Sequence, residues 1–120
     1  MDGMKKTGKF VIQRHERQGE AVHWDLMLEK KGILETYRVN VPPEEWGNRQ
    51  VAAAKIFDHP LKFLTYEGPV NKGKGSVSIT DSGTYLPLTH SQNHLKLELS
   101  GEVMKDEFIF SIGGGRARRE

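Results

Sequence analysis

Apolar and polar positions alternate along residues 22–29, where Val22, Trp24, Leu26 and Leu28 are interleaved with His23, Asp25, Met27 and Glu29, a set that is polar except for Met27. Side chains of a β-strand point alternately to its two faces, so this pattern predicts a strand. The Trp/Leu face needs a core, and the other face carries an imidazole and a carboxylate. A first strand is predicted over 9–14, where Phe10 and Ile12 alternate with Val11 and Gln13. Between the two lies a charged loop containing Gly19. Lys30, Lys31 and Gly32 form a turn signal that joins the second strand to a third over 33–41, as a hairpin. Pro42 and Pro43 end that strand, because proline supplies no ladder donor.

Residues 44–55 are the best helix candidate. Pro43 precedes them, Glu44 and Glu45 occupy the first turn, and Ala52, Ala53 and Ala54 have high helix propensity. From Val51 onward a strand running into Ile56 and Phe57 fits equally well, and Asp58, His59 and Pro60 are expected to break regular structure. The stretch 68–75 is rich in Gly and Lys but lacks the Gly-Lys-Ser/Thr ending of a phosphate-binding loop, so it reads as a hairpin loop. A strand is expected over 76–79, a turn at Thr80, Asp81, Ser82 and Gly83, and a further strand over 84–88. His90 falls in a polar loop. Clean alternation over 94–99 and an apolar run over 107–112 give the last strands. Short strands separated by Gly-, Pro- and Asp-rich turns predict a mainly β domain, an antiparallel sandwich or barrel, over 9–112. Residues 1–8 are expected to be disordered, and 113–120 a flexible basic tail.

His23 and Asp25 stand two residues apart on one strand face, about 6.6 Å along the strand. They can converge on one ion if a third ligand arrives, and His15, just after the apolar run of the first strand, is the candidate. Two histidines and one carboxylate suit Mn, Fe, Zn or similar ions and leave positions open for substrate or water. The ordinary reading of the same face is a solvated side of an antiparallel sheet.

Composition narrows the classes. The 120 residues suffice for one domain with a modest core. The net charge is only +2, so charge alone does not announce a nucleic-acid binder. Lys5, Lys6 and Lys9 near the start and Arg116, Arg118 and Arg119 near the end suit phosphate contacts or simple solubility. The absence of cysteine excludes disulfides, thiolate metal sites and a cysteine nucleophile. No run is long and apolar enough to span a membrane, and no apolar segment follows the first lysines as a secretory signal would require. The expectation is a cytoplasmic protein.

In order, the chain carries Phe-Val-Ile-Gln-Arg-His at 10–15, His-Trp-Asp-Leu-Met-Leu-Glu at 23–29, Asp-His-Pro-Leu at 58–61, Tyr-Glu-Gly at 66–68, Asp-Ser-Gly-Thr-Tyr at 81–85 and His-Leu-Lys-Leu-Glu-Leu-Ser-Gly-Glu at 94–102. This ordered set resembles the 3′-phosphoesterase domain of bacterial DNA ligase D and its stand-alone bacterial and archaeal relatives, over roughly residues 9 to 112. The resemblance implies a compact antiparallel β-barrel with one or two short flanking helices. It implies metal-dependent trimming of DNA 3′ ends in repair, by removal of a 3′-terminal ribonucleoside and a 3′-phosphate. The implied cofactor is a divalent metal, first manganese, with Zn, Co and Fe also fitting the ligand types. Carried over by position, the metal ligands are His15, His23 and Asp25, His59 acts on the scissile phosphate, and Gln13 is a further site residue. Arg14 and Lys55 are candidates for substrate binding. The implied partners are DNA 3′ ends or a primer–template, and the polymerase and ligase of an end-joining system.

The chain departs from the family pattern. The arginine two residues after the strand Asp is Met27, the tyrosine four residues after the Asp-His-Pro histidine is Phe63, and the glutamate before Asp58 is Phe57. One preorganised phosphate donor is worth about two to four kcal/mol. Arg14, Arg38, Lys72 and the C-terminal arginines are available as replacements. Three readings stay open: an active phosphoesterase, a weak or inactive metal-bearing barrel that binds DNA ends or a repair partner, and a phosphoesterase with another substrate. On the sequence alone, Met27→Arg is expected to raise activity if the missing clamp is limiting.

Overall fold

The computed structural model describes residues 7–47 and 49–113. Eight strands follow one another: β1 (Gly8–Arg17), β2 (His23–Lys30), β3 (Ile33–Val39), β4 (Gln50–His59), β5 (Gly68–Val70), β6 (Gly75–His90), β7 (His94–Gly101) and β8 (Lys105–Gly113). Their order is β1-β2-β3-β4-β8-β7-β6, and a β1–β6 ladder closes these seven into a barrel, with β5 paired to the start of β6. The mainly β domain expected from the pattern is present, and it is the barrel that the resemblance implied. All its pairings are antiparallel except the β4–β8 seam, which is parallel. The only helical pieces among the described residues are two 3-10 turns, Pro43–Glu45 and Leu61–Leu64. No described helix is long and apolar enough to cross a membrane. The expected tails lie almost wholly outside the described residues, although Gly8 and Gly113 belong to strands.

Two expectations are corrected. The described residues of 44–55 form no α-helix: a single 3-10 turn is followed by β4, which runs through Phe57 and Asp58 to His59. Alanine's helix propensity is overridden because Val51 and Ala53 face the core while Ala52 is exposed, a period of two. Trp46, fully buried beside Phe110, anchors the connection by donating its indole N–H to the Val41 carbonyl at 2.8 Å.

The second correction concerns β6: the turn expected at Thr80, Asp81, Ser82 and Gly83 is its interior, and His90, expected in a polar loop, is its last residue, paired with Leu95. Asp81 is 3% exposed, and its carboxylate accepts the backbone N–H groups of Ser82, Glu102, Val103 and Met104 at 2.7 to 3.3 Å. It thereby holds the β7–β8 turn from across the sheet. A Cβ on Gly101 would lie 2.3 Å from Asp81 Oδ2, and one on Gly83 would lie 2.1 Å from the Ser100 carbonyl, so both glycines are required by close approach. Asp81→Asn keeps the shape but sets an NH2 group against backbone donors. We expect it to cost about 3 kcal/mol, or a melting temperature lower by roughly 10 to 15 °C, read by thermal denaturation.

The interior of the barrel is one apolar cluster that includes Phe10, Ile12, Leu26, Leu28, Tyr37, Val39, Leu97 and Phe110. A smaller cluster of Val11, Met27 and Leu34 lies on the outer face of β1–β3, under Phe63, Leu64 and Ile79. Both faces of β2 are therefore covered. The segment following β4 folds back over the outside of the barrel, and the candidate site lies beneath it.

Candidate metal centre and phosphate pocket

The site is built from rows of side chains across neighbouring strands. In the first row His15 of β1 pairs with His23 of β2. In the second, Gln13, Asp25 and Arg38 stand side by side on β1, β2 and β3. In the third are Val11, Met27, Thr36 and Ile56. Adjacent strands are about 4.8 Å apart, so residues in one row are in reach of each other. The Lys31–Gly32 turn fixes this alignment. Both residues have positive φ, 50° and 87°, and Lys30 therefore pairs directly with Ile33.

His59 reaches the same face through a β-bulge. Thr36 pairs with Ile56, and Leu34 pairs with His59, so β4 has an extra residue opposite β3. Three residues apart on a regular strand, Ile56 and His59 would face opposite ways. The bulge turns both outward toward the site. His59 Nδ1 lies 2.9 Å from the Thr36 hydroxyl, which itself donates to the Leu34 carbonyl at 3.0 Å. The hydroxyl hydrogen is thus used, and His59 Nδ1–H donates to Thr36, leaving Nε2 with a free lone pair.

The donor atoms of His15, His23 and Asp25 all lie within 4.8 Å of one another. His15 Nδ1 is 2.9 Å from His23 Nε2, and His23 Nε2 is 3.4 Å from Asp25 Oδ1. Two ligands about 2.1 Å from a shared ion and at right angles are about 3.0 Å apart, so the spacing suits one cation. Arg38 Nε stands 3.9 Å from Asp25 Oδ1, beyond hydrogen-bond range. Among the described residues, the buried side-chain N and O atoms without a hydrogen-bond partner are Gln13 Oε1, His15 Nε2, Asp25 Oδ1 and Arg38 Nε. All four belong to this one site. Unpaired buried polar atoms are costly, so their clustering marks a place organised for something other than the chain itself.

Gln13, fully buried, ties the covering segment down: its amide N–H groups donate to the carbonyls of Phe63 and Tyr66 at 3.0 and 2.9 Å. Under that cover is a cavity of about 520 Å³ whose walls include His15, Asp25, Arg38, His59, Phe63 and Met27. Of the residues singled out in the sequence, His15, His23, Asp25, Gln13 and His59 come together here. Arg14 and Lys55 do not. Arg14 has the opposite strand parity and pairs with Glu16. Lys55 pairs with Asp58 at 3.4 Å and faces a separate cavity with Glu35, Tyr37 and His90. Thr36 is a site residue that motif reading did not single out, and Arg38, named only as one of several replacement cations, is the one of those described that reaches the site. Counting back from the Lys31–Gly32 turn would have set Arg38 opposite Asp25.

Burial holds the imidazoles of both His59 and His15 below the ordinary histidine pKa; the Asp25 carboxylate opposes this, and for His15 the neighbouring His23 adds to it. Each is thus neutral in the folded chain at a pH where the unfolded chain begins to bind protons. Stability is therefore expected to fall as pH drops below about 6.5 toward the folded-state values, and to be fully present above it. Melting curves in chelator between pH 7.5 and 5 check this, and His59→Asn should flatten part of the slope.

Comparison with known proteins points to one family. Residues 13–111 match the family described as the DNA ligase D 3′-phosphoesterase domain. The chain is 40% identical over 88 residues to a multifunctional non-homologous end joining protein LigD of Mycolicibacterium smegmatis, covering 67% of this chain and 11% of that protein. It is 36% identical over 113 residues to the LigD protein of Mycobacterium bovis, covering 89% and 13%. The LigD protein of Pseudomonas aeruginosa is 28% identical over 104 residues. The chain thus spans about an eighth of the length of the curated relatives it matches. With its seven-stranded barrel and the match over nearly all its strands, the chain belongs to the DNA ligase D 3′-phosphoesterase domain family.

Proposed function

We propose that this chain is a metal-dependent phosphoesterase that processes the 3′ ends of DNA during end-joining repair in the cytoplasm, removing a 3′-terminal ribonucleoside and a 3′-phosphate. The reading rests on one observation above the others: four residues that line one pocket, Gln13, His15, Asp25 and Arg38, each carry a buried, unpartnered polar atom, and His59 enters the same pocket. The donor set fits a divalent cation, with manganese the first choice, held by His15, His23 and Asp25. Such an ion would neutralise phosphate charge and lower the pKa of a bound water.

The remaining steps fall to the chain itself. Arg38, on the adjacent strand, offers a guanidinium to the phosphate in place of the arginine absent at Met27. His59 presents Nε2, with its ring held by Thr36. Burial keeps that nitrogen unprotonated alone, and an arriving phosphate dianion would favour its protonation, the form that can hand a proton to a leaving oxygen. The covering segment pinned by Gln13 limits water at the reacting group. Polymerase and ligase components of an end-joining system would supply and use the processed ends.

A second reading is favoured by the apolar floor of Met27 and Phe63: a metal-bearing barrel that binds DNA ends or a repair partner with little or no turnover. A labelled primer–template with one 3′-ribonucleotide, incubated with manganese or with chelator, separates the two. Shortened product or 3′-phosphate release that vanishes with chelator is expected. Salt-dependent DNA binding without product would favour the second reading.

A further inference from the structure

Phe57 is an aromatic side chain left largely in solvent, 72% exposed, at the rim of the pocket that holds the candidate metal centre. Its inner surface is occupied. It stacks on His59 with ring centroids 4.7 Å apart and planes 21° from parallel. His59 in turn meets Phe63 edge-on at 5.5 Å, and Phe63 meets Tyr66 edge-on at 5.6 Å. A file of rings therefore runs from the wall of the pocket to its mouth, and Phe57 is the last of them. It is held there by the β-bulge that also turns His59 toward the site. Bulges are a recurrent means of re-aiming a side chain beside a site. Arg17, Arg38 and Lys62 line the same pocket. A flat, exposed aromatic ring beside cations and next to a phosphate pocket matches the two halves of a nucleotide, a π-face and an anionic backbone.

The geometry points to Phe57 as the stacking platform for the terminal nucleobase of the DNA 3′ end, and so to a residue that sets substrate preference at this site. The inference rests on the phosphoesterase reading for the identity of its ligand. The base lies on the outward face of Phe57, and the sugar and phosphate extend from it past His59. Because every base has a π-face, the preference is for a base over none, with little choice among the four. A terminus without a base loses the contact.

The test uses the whole chain with manganese and a primer–template whose 3′ end is a hydroxyl, so that nothing turns over during binding. One primer ends in 2-aminopurine and the other in an abasic sugar. The wild-type chain should quench the 2-aminopurine fluorescence and bind the base-bearing end about tenfold more tightly than the abasic end. Phe57→Leu, at an exposed position, should lose the quenching and the distinction between ends, and Phe57→Trp should retain both. Equal affinity of the wild-type chain for the two ends would overturn the proposal, as would a Phe57→Leu variant that still distinguishes them. If Phe57 only props His59, Phe57→Leu will lose turnover with product affinity unchanged; this overturns the platform and leaves the phosphoesterase reading intact. Base-dependent binding without any turnover by the wild type would do the reverse.

Discussion

Asp25→Asn is expected to weaken manganese binding at least about a hundredfold and to lower turnover at least as much, with no loss of stability in the metal-free chain. Asp25 supplies the one carboxylate among the three converging donors, and it is 4% exposed. Asparagine keeps the size and one oxygen but removes the charge that a hard divalent cation needs, and changes to groups that only support metal ligands already cost ten- to a hundredfold. The stability clause follows from the geometry. Asp25 Oδ1 lacks a hydrogen-bond partner, and Arg38 Nε is 3.9 Å away. A buried, poorly paired carboxylate is a burden on the empty fold, so neutralising it should leave melting in chelator equal or higher. Isothermal titration with manganese and melting in chelator give the two readouts. Unchanged affinity would rule Asp25 out as a ligand, and a collapse of the metal-free fold would make its role structural.

Met27→Arg is expected to destabilise the chain by about 3 to 5 kcal/mol, with no gain in activity. The sequence suggested the opposite, because the family pattern has arginine at this position. In the fold, Met27 is 1% exposed and packed with Val11 and Leu34 beneath Phe63, Leu64 and Ile79. A guanidinium there would be desolvated among hydrocarbon. The wall it would need to meet has changed with it, since Phe63 lacks the hydroxyl of the tyrosine in the pattern. Arg38, beside Asp25 on the neighbouring strand and lining the pocket, is a cation this chain already has there. Denaturant melts of Met27→Arg measure the cost. Normal stability together with faster 3′-end processing would show that the missing clamp is limiting after all.

Much of this site was legible before the fold was known. The alternation over 22–29 put His23 and Asp25 on one face, and the structure places them there with His15 across the β1–β2 ladder. The hairpin signal at Lys31 and Gly32 was also local and held. Where the reading failed, the deciding contacts lay far away in sequence. The alanines of β4 suggested helix because propensity reports only local preference, and the parallel ladder with β8 decided the matter. The Asp-Ser-Gly stretch of β6 looked like a turn, but Asp81 had partners at Glu102, Val103 and Met104.

What the sequence determined by itself is what short-range pattern encodes: strand faces, hairpin register, the absence of thiol chemistry, and the types of ligand gathered near Asp25. What only the tertiary structure decided is which of those groups meet. The bulge that swings Phe57 and His59 toward the site depends on β3 lying one residue short against β4. Burial of Met27 depends on the segment that Gln13 holds over it. Separation of Arg14 and Lys55 from the pocket depends on strand parity once the barrel has closed. The physical reason is the same in each case: a side chain's direction is set locally by the backbone, but its neighbours are set by ladders between strands distant along the chain.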